Sequence, residues 1–171
     1  MTLQDELLTE IEDTRARFLQ FLDSIPEAEY SRLSSNEAWT VGEVLYHITL
    51  GPRAIAVEVW MILHARGLFQ FGLRYLPARW FNRINASFAR RDTRRFRRAG
   101  LAKAYQSAHT ALRSVLMRAR EQEFIQSVVY PAELVAELAG EVSVERLFRY
   151  EKEHFEVHAG QIQASLPGMA F

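Results

Sequence analysis

Hydrophobic residues recur along most of this chain at intervals of three and four, the spacing of one face of an α-helix. In the first segment they stand at positions 3, 7, 8, 11, 18, 19, 22 and 25. Thr2 has a side chain suited to capping such a helix, and Pro26 cannot continue it. The pattern therefore predicts a first helix over residues 3–25.

A second helix is predicted to begin after Thr40, because Thr40 and Glu43 have the spacing of a capping box. The helical pattern continues toward His64, but Gly51 and Pro52 interrupt it. Since proline cannot donate a backbone hydrogen bond, we expect the helix to kink there.

Two further helices are predicted over residues 101–122 and 143–166, the last of them ended by Pro167-Gly168. Between them, residues 128–131 favour extended chain and residues 132–138 favour a short helix. Four long amphipathic helices without a convincing pair of strands indicate an all-α helical bundle. The length fits one domain over residues 1–171.

Residues 66–98 differ from the rest in composition, with ten arginines against one acid and seven interleaved aromatic residues. The stretch has a net charge of +9 and the remainder −9. We predict an amphipathic helix over residues 74–88, inserted between the second and third helices. It could pack on the bundle with solvated or paired arginines, form a dimer surface or a lid that meets an anionic ligand, or bind nucleic acid or anionic lipid.

Composition limits the functions and partners that the chain can have. The net charge is zero, so the field of the whole protein does not attract a polyanion, and we expect no nucleic-acid partner. No cysteine is present, which excludes disulfides, thiolate metal ligands and an internal thiol nucleophile. The first residues do not have the pattern of a signal peptide, and Glu58 interrupts the longest apolar run. We therefore expect a cytoplasmic protein with no membrane partner.

The candidate chemistry lies in the histidines. His154 and His158 are four residues apart and so share a helix face, where both can bind one metal ion. His47, on the second helix, would complete a three-histidine site with open coordination positions. The alternative is that each is a partly buried histidine with a hydrogen-bond partner. We assign His64 and His109 to the surface or to ordinary packing.

Three acids could support such a site. Glu43, Glu58 and Glu151 are candidate hydrogen-bond partners of the ligands or proton carriers, although a role as a helix-face or capping residue is favoured for each, and Glu43 already belongs to the capping box. Nitrogen ligands suit zinc, nickel, iron or copper.

Two segments resemble the DinB/YfiT-like superfamily. Residues 39–48, WTVGEVLYHI, are similar to that family's capped helix carrying the first metal histidine, His47. Residues 154–162, HFEVHAGQI, are similar to its last helix, in which His154 and His158 would be the other two ligands. The resemblance implies a four-helix bundle with an up-down-down-up course, often a homodimer, around a divalent metal. Characterised relatives are transferases and isomerases that use bacillithiol or mycothiol.

The resemblance thus implies a metal-dependent enzyme acting on a small-molecule substrate, either a thiol-dependent transferase or a hydrolase. We expect zinc or nickel, with iron as a further option, and a low-molecular-weight thiol. The stretch 66–98 departs from the family's pattern, so no substrate is carried over. The alternative is a metal-free helical bundle that binds a ligand or a partner without catalysis.

Overall fold

The computed structural model describes residues 1–35, 37–75 and 97–168. Four long helices form a bundle in which α1 and α2 each pack against both α3 and α4. This confirms the predicted all-α four-helix bundle. The helices are α1 (Leu3–Ser24), α2 (Val41–Tyr75), α3 (Arg98–Arg118) and α4 (Val144–Ser165), with strands β1 (Ser127–Tyr130) and β2 (Gly140–Ser143) and short 3₁₀ helices at Glu27–Ser31, Glu121–Glu123 and Ala136–Leu138.

Side-chain caps define where the outer helices begin. At α1 the hydroxyl of Thr2 accepts a hydrogen bond from the backbone N–H of Asp5, whose carboxylate accepts one from the backbone of Thr2. At α4 the hydroxyl of Ser143 accepts from the N–H of Arg146 at 3.1 Å. These contacts satisfy backbone donors that have no partner within the helix, so both starts agree with the sequence prediction.

The longest helix, α2, leaves helical geometry later than the position where the sequence predicts an interruption. Its dihedral angles remain helical through Pro52 and leave the helical region at Ala65, with φ −143° and ψ 32°. Thr49, Ile55 and their neighbours are buried on both sides of Pro52, whereas α2 buries no residue between Ile62 and Leu73. The helix thus remains regular through the proline where it is buried on both sides, and it breaks within a stretch that has no fully buried residue.

A small hairpin corrects the expectation that the chain has no strand pair. The predicted extended segment forms β1, which pairs antiparallel with β2 from Ser127 opposite Ser143 to Tyr130 opposite Gly140. The second strand has only four residues, one of them buried, and a glycine at φ 98°, so its sequence carries little strand signal. The short helix predicted over residues 132–138 is limited to one 3₁₀ turn at Ala136–Leu138.

Among the described residues, α2 is the one helix long and apolar enough to cross a membrane by length and composition alone. In the bundle its apolar side chains form the core, with Val44, Leu45, Ile48 and Val59 almost fully buried. The amphipathic helix predicted over residues 74–88 falls mostly outside the described residues, since α2 ends at Tyr75 and the description resumes at residue 97.

Candidate metal centre

The start of α2 fixes the position of His47. The backbone N–H of Thr40 donates to Oε2 of Glu43 at 2.7 Å, and the N–H of Glu43 donates to Oγ1 of Thr40 at 3.3 Å. This confirms the predicted capping box and gives Glu43 a structural role. His47 follows two turns later on the inner face, with its ring centre 5.0 Å from that of Trp39.

Helix α4 supplies the other two histidines. Phe155, Ala159 and Ile162 are buried against the core, which fixes the rotation of the helix about its axis. His154 and His158 lie beside this stripe, one turn apart, and their ring centres are 4.6 Å from each other. Both rings are thereby directed toward α2.

The structure brings all three histidines together. The ring of His47 lies 5.0 Å from that of His154 and 4.7 Å from that of His158, centre to centre. One ligand atom from each ring lies within 4.8 Å of the other two, and the Nε2 atoms of His47 and His154 are 3.1 Å apart. Two nitrogens on one tetrahedral zinc ion are about 3.4 Å apart. Small ring rotations would therefore fit this donor set to a single ion.

Gly51 allows the ring of His154 to lie against α2. A Cβ atom at residue 51 would be 2.8 Å from Nδ1 and 3.0 Å from Cε1 of His154. Such contacts are shorter than a side chain tolerates, so any larger residue would displace the imidazole. The glycine that the sequence offered as half of a kink signal thus provides space for a histidine ring.

Gln161 orients His158. The Oε1 atom of Gln161 lies 2.9 Å from Nδ1 of His158, one turn along α4. With the proton on Nδ1, the imidazole donates to the amide oxygen and its Nε2 is left free to bind a metal ion. The spacing of three residues after His158 was available in the sequence as a signal for this pair.

Burial keeps the histidines in the form that binds metals. It lowers the pKa of His47 to about 3, with a further contribution from nearby His158. Burial likewise lowers the pKa of His154 well below its ordinary value, assisted by the two neighbouring rings. The pKa of His158 is also lowered by burial, against an opposing effect of Gln161. Neutral imidazoles with available lone pairs are the species that a divalent cation requires.

A cavity of about 510 Å³ opens beside the cluster. Its volume suits a small organic molecule. Residues from α2, from the segment after β1 and from α4 form its walls, and all three histidines are among them. The lining residues are His47, Leu50, Gly51, Arg53, Ala54, Ile55, Glu58, Leu134, Val135, Ala136, Glu137, Leu138, Tyr150, His154 and His158.

The other two candidate acids differ in location. Glu58 lines the cavity, and burial raises its pKa to about 7. Glu151 is enclosed in the core at 2% exposure, where burial raises its pKa to about 8 and the hydroxyl of Tyr105 donates to its Oε1. Only Glu58 of these two is therefore open to a ligand in the cavity.

The two remaining histidines are accommodated by ordinary packing, as expected. His64 is exposed and stacks on Trp60, with ring centres 5.1 Å apart. His109 is buried beside Tyr105, and its Nε2 lies 3.2 Å from Oε1 of Glu12. Among the described residues, neither belongs to a group of side chains that could hold a metal ion.

Comparisons with known proteins show the family and the fold of the chain. The sequence profile of the DinB superfamily matches residues 10–162. Two solved structures, of the mycothiol-dependent maleylpyruvate isomerase and of a histidine-to-alanine variant of it, superpose with TM-scores of 0.67 and 0.66 at 14% identity. The superposition covers 95% of this chain but 61% of theirs, so this chain corresponds to about three-fifths of their length. No curated protein matches the sequence significantly.

Proposed function

The chain belongs to the DinB superfamily, and from that membership we propose that it is a metal-dependent enzyme in which His47, His154 and His158 hold one divalent ion. The proposed reaction is a thiol-dependent transfer to a small molecule, with hydrolysis as the variant in which water replaces the thiol. The observation that carries the proposal is the convergence of three imidazoles, with ligand atoms within 4.8 Å, at the wall of a 510 Å³ cavity.

The surrounding residues support this assignment because each favours a neutral, oriented imidazole. Gly51 leaves room for the ring of His154, and Gln161 orients the ring of His158. When bound, a divalent ion supplies Lewis acidity, which lowers the pKa of a thiol or water that it contacts so that a nucleophile forms near neutral pH. Nitrogen donors suit zinc or nickel, and also iron.

The thiol would come from outside the chain. The sequence contains no cysteine, so the protein has no thiol of its own to activate. The two superposable structures are, by name, those of a mycothiol-dependent enzyme, although they share 14% identity with this chain. A low-molecular-weight thiol is therefore the cosubstrate that we propose, entering through the cavity beside the histidines.

The test pairs metal content with turnover. Protein stripped of metal and reloaded with zinc or nickel should hold about one ion per chain and consume a thiol only when loaded. Bacillithiol, mycothiol and glutathione would be compared as thiols, each with a panel of electrophilic small molecules. His64→Ala, which alters an exposed histidine, serves as the control. Less than about a tenth of an ion per chain after reloading would overturn the enzyme and favour the metal-free binding protein.

We also propose that the protein is a homodimer. Helix α2 exposes five large apolar side chains: Val57 is 55% exposed, Trp60 50%, Leu68 69%, and Phe71 and Tyr75 61% each. Beyond the break at Ala65, Leu68, Phe71 and Tyr75 follow one another at three and four residues and so lie on one side of the helix, a surface suited to self-association. Analytical ultracentrifugation at micromolar concentration should give twice the mass of the chain, and a monomer would overturn this proposal.

A further inference from the structure

The cavity beside the histidines extends along α2 and has an acid far from them. His47, Gly51, Ala54 and Glu58 line it at intervals of three and four residues, so they lie on one face of the helix. Glu58 follows His47 by eleven residues and Gly51, against which the ring of His154 lies, by seven, so it is roughly 16 Å and roughly 10 Å from them along the helix axis. At these separations Glu58 is too remote to contact an ion held by the histidines and lies near the other end of a molecule bound to it.

Glu58 has no charged partner of its own. Among the described residues no arginine or lysine forms a salt bridge with it, and it lies in the cavity wall next to Tyr130 of β1. The Tyr130 hydroxyl lies close enough to Glu58 for hydrogen bonding to oppose the effect of burial on the pKa of the carboxyl, although the contact falls short of ordinary hydrogen-bond geometry. A carboxylate can accept about four hydrogen bonds, so Glu58 keeps acceptor capacity for a ligand even with Tyr130 beside it.

The other polar groups near this end are acids or phenols. Glu137 lines the cavity from the segment after β1, and Tyr150 lines it from α4. The one cation in the lining is Arg53, an exposed residue about 7.5 Å nearer to the histidines along α2. Outside the lining, Arg146 donates to the backbone oxygen of Glu137 at 3.3 Å, but its guanidinium is paired with Glu153 at 2.7 Å. Among the described residues, a carboxylate on the remote end of a ligand would therefore face two acids without an unpaired cation in the adjacent lining, whereas a hydrogen-bond donor would find acceptors there.

We propose that Glu58 is a specificity-determining residue that binds the end of the substrate remote from the metal, and that the substrate carries a hydroxyl, amide or amine group there rather than a carboxylate. This inference rests on the proposed function, because it assumes that the near end of the substrate lies at the histidines. Leu134 and Leu138 line the cavity. They suit an apolar middle section in such a substrate.

Metal-anchored probes test the inference without knowledge of the substrate. Zinc-loaded protein would be titrated calorimetrically with hydroxamic acids that have alkyl spacers from ethylene to octamethylene and end in a methyl, hydroxyl, ammonium or carboxylate group. At one spacer length the hydroxyl and ammonium probes should bind about ten-fold more tightly than the carboxylate probe. Glu58→Gln should reduce the preference for ammonium over carboxylate by about ten-fold, and the control Glu133→Gln, an equal charge change on an exposed residue outside the cavity lining, should retain it.

The outcomes separate this inference from the metal assignment. Equal binding of all four probe types, or a preference that survives Glu58→Gln, would overturn the role of Glu58 and leave the metal site intact. If zinc-treated protein binds none of the hydroxamates, both the metal site and the inference are overturned. Circular dichroism of Glu58→Gln would confirm that the loss of preference occurs in a folded protein.

Discussion

Helix α4 carries two clusters of buried ionisable groups one turn apart, and their surroundings differ. On one side, His154 and His158 meet His47 at the wall of an open cavity. On another, Glu151 is enclosed in the core and accepts a hydrogen bond from Tyr105, whose ring stacks on Phe18 of α1 with centres 4.1 Å apart. The first cluster is accessible to a ligand, whereas the second is sealed by packed side chains.

Burial acts on both clusters in the same sense, because it disfavours the charged form of each group. For an imidazole the neutral form is the metal ligand, so a lowered pKa prepares His47, His154 and His158 to bind a cation. For a carboxyl the neutral form retains its proton, so the raised pKa of Glu151 leaves a hydrogen-bonding acid in the core. Access to the cavity, rather than a shifted pKa, therefore distinguishes the cluster that we propose binds a metal ion.

Removing one ligand should have the largest effect. His154→Ala deletes a donor atom, and zinc affinity should fall by more than the roughly 10–100-fold that follows loss of a supporting hydrogen bond. Thiol-dependent turnover should fall with it. Equilibrium dialysis against a competing chelator measures the affinity. Helicity of the metal-free variant should match the parent, and full turnover in a folded variant without metal would show that the histidines are structural.

Filling the space beside His154 should have the next largest effect. In Gly51→Ala the new Cβ would lie 2.8 Å from Nδ1 of His154, so the ring must move and zinc affinity should fall about ten-fold or more. Gly160→Ala is the matched control, because a Cβ atom at that position in α4 meets no atom within 4 Å. Equal affinities of the two variants would show that the close contact with Gly51 does not position His154.

Loss of the amide that orients His158 should have a smaller effect. Gln161→Ala removes the acceptor for Nδ1–H of His158, which lies 2.9 Å away. The ring can then rotate or change tautomer, and we expect zinc affinity to fall about ten-fold. Gln163→Ala, at an exposed position of the same helix, is the control. An unchanged zinc affinity in Gln161→Ala would show that Gln161 does not orient His158 for metal binding.

The two clusters should also respond to pH in opposite directions in the metal-free protein. The pKa of Glu151 is raised from 4.5 to about 8, so the folded state binds more protons than the unfolded state across that window. Its contribution to stability is present below pH 4.5 and lost as pH rises through about 8. For His47, lowered from 6.5 to about 3, the contribution is present above pH 6.5 and lost as pH falls.

Melting temperatures measured across this range should separate the two effects. Glu151→Gln should reduce the loss of stability between pH 5 and 9, by a few degrees, and leave the acid side unchanged. His47→Ala should reduce the loss on the acid side. An alkaline slope that Glu151→Gln does not alter would show that the buried carboxyl is not its source.

Some features of the candidate metal centre follow from local sequence. The capping box at Thr40 and Glu43 and the four-residue spacing of His154 and His158 depend on contacts within one helix, so a single segment specifies them. The hydrogen bond between His158 and Gln161, three residues apart, is likewise a contact within one helix.

Other features depend on contacts between segments and could not be predicted in the same way. The approach of His154 to Gly51 requires two helices, and the partner of Glu151 lies 46 residues away. The break in helical geometry at Ala65 rather than at Pro52 coincides with the stretch between Ile62 and Leu73 that has no buried residue, and burial is a property of the assembled bundle. The pairing of β1 with β2 likewise joins a clear extended segment to one with little strand signal of its own.

The central claim is that His47, His154 and His158 hold one ion, and X-ray absorption at the metal edge of the zinc- or nickel-loaded protein tests it most directly. We expect one ion per chain, with three imidazole nitrogens at about 2.0–2.1 Å from the metal in the zinc form. His47→Ala should lower the imidazole count to two or abolish binding. A loaded protein whose metal shows fewer than three imidazoles, or the same count in His47→Ala, would contradict this claim.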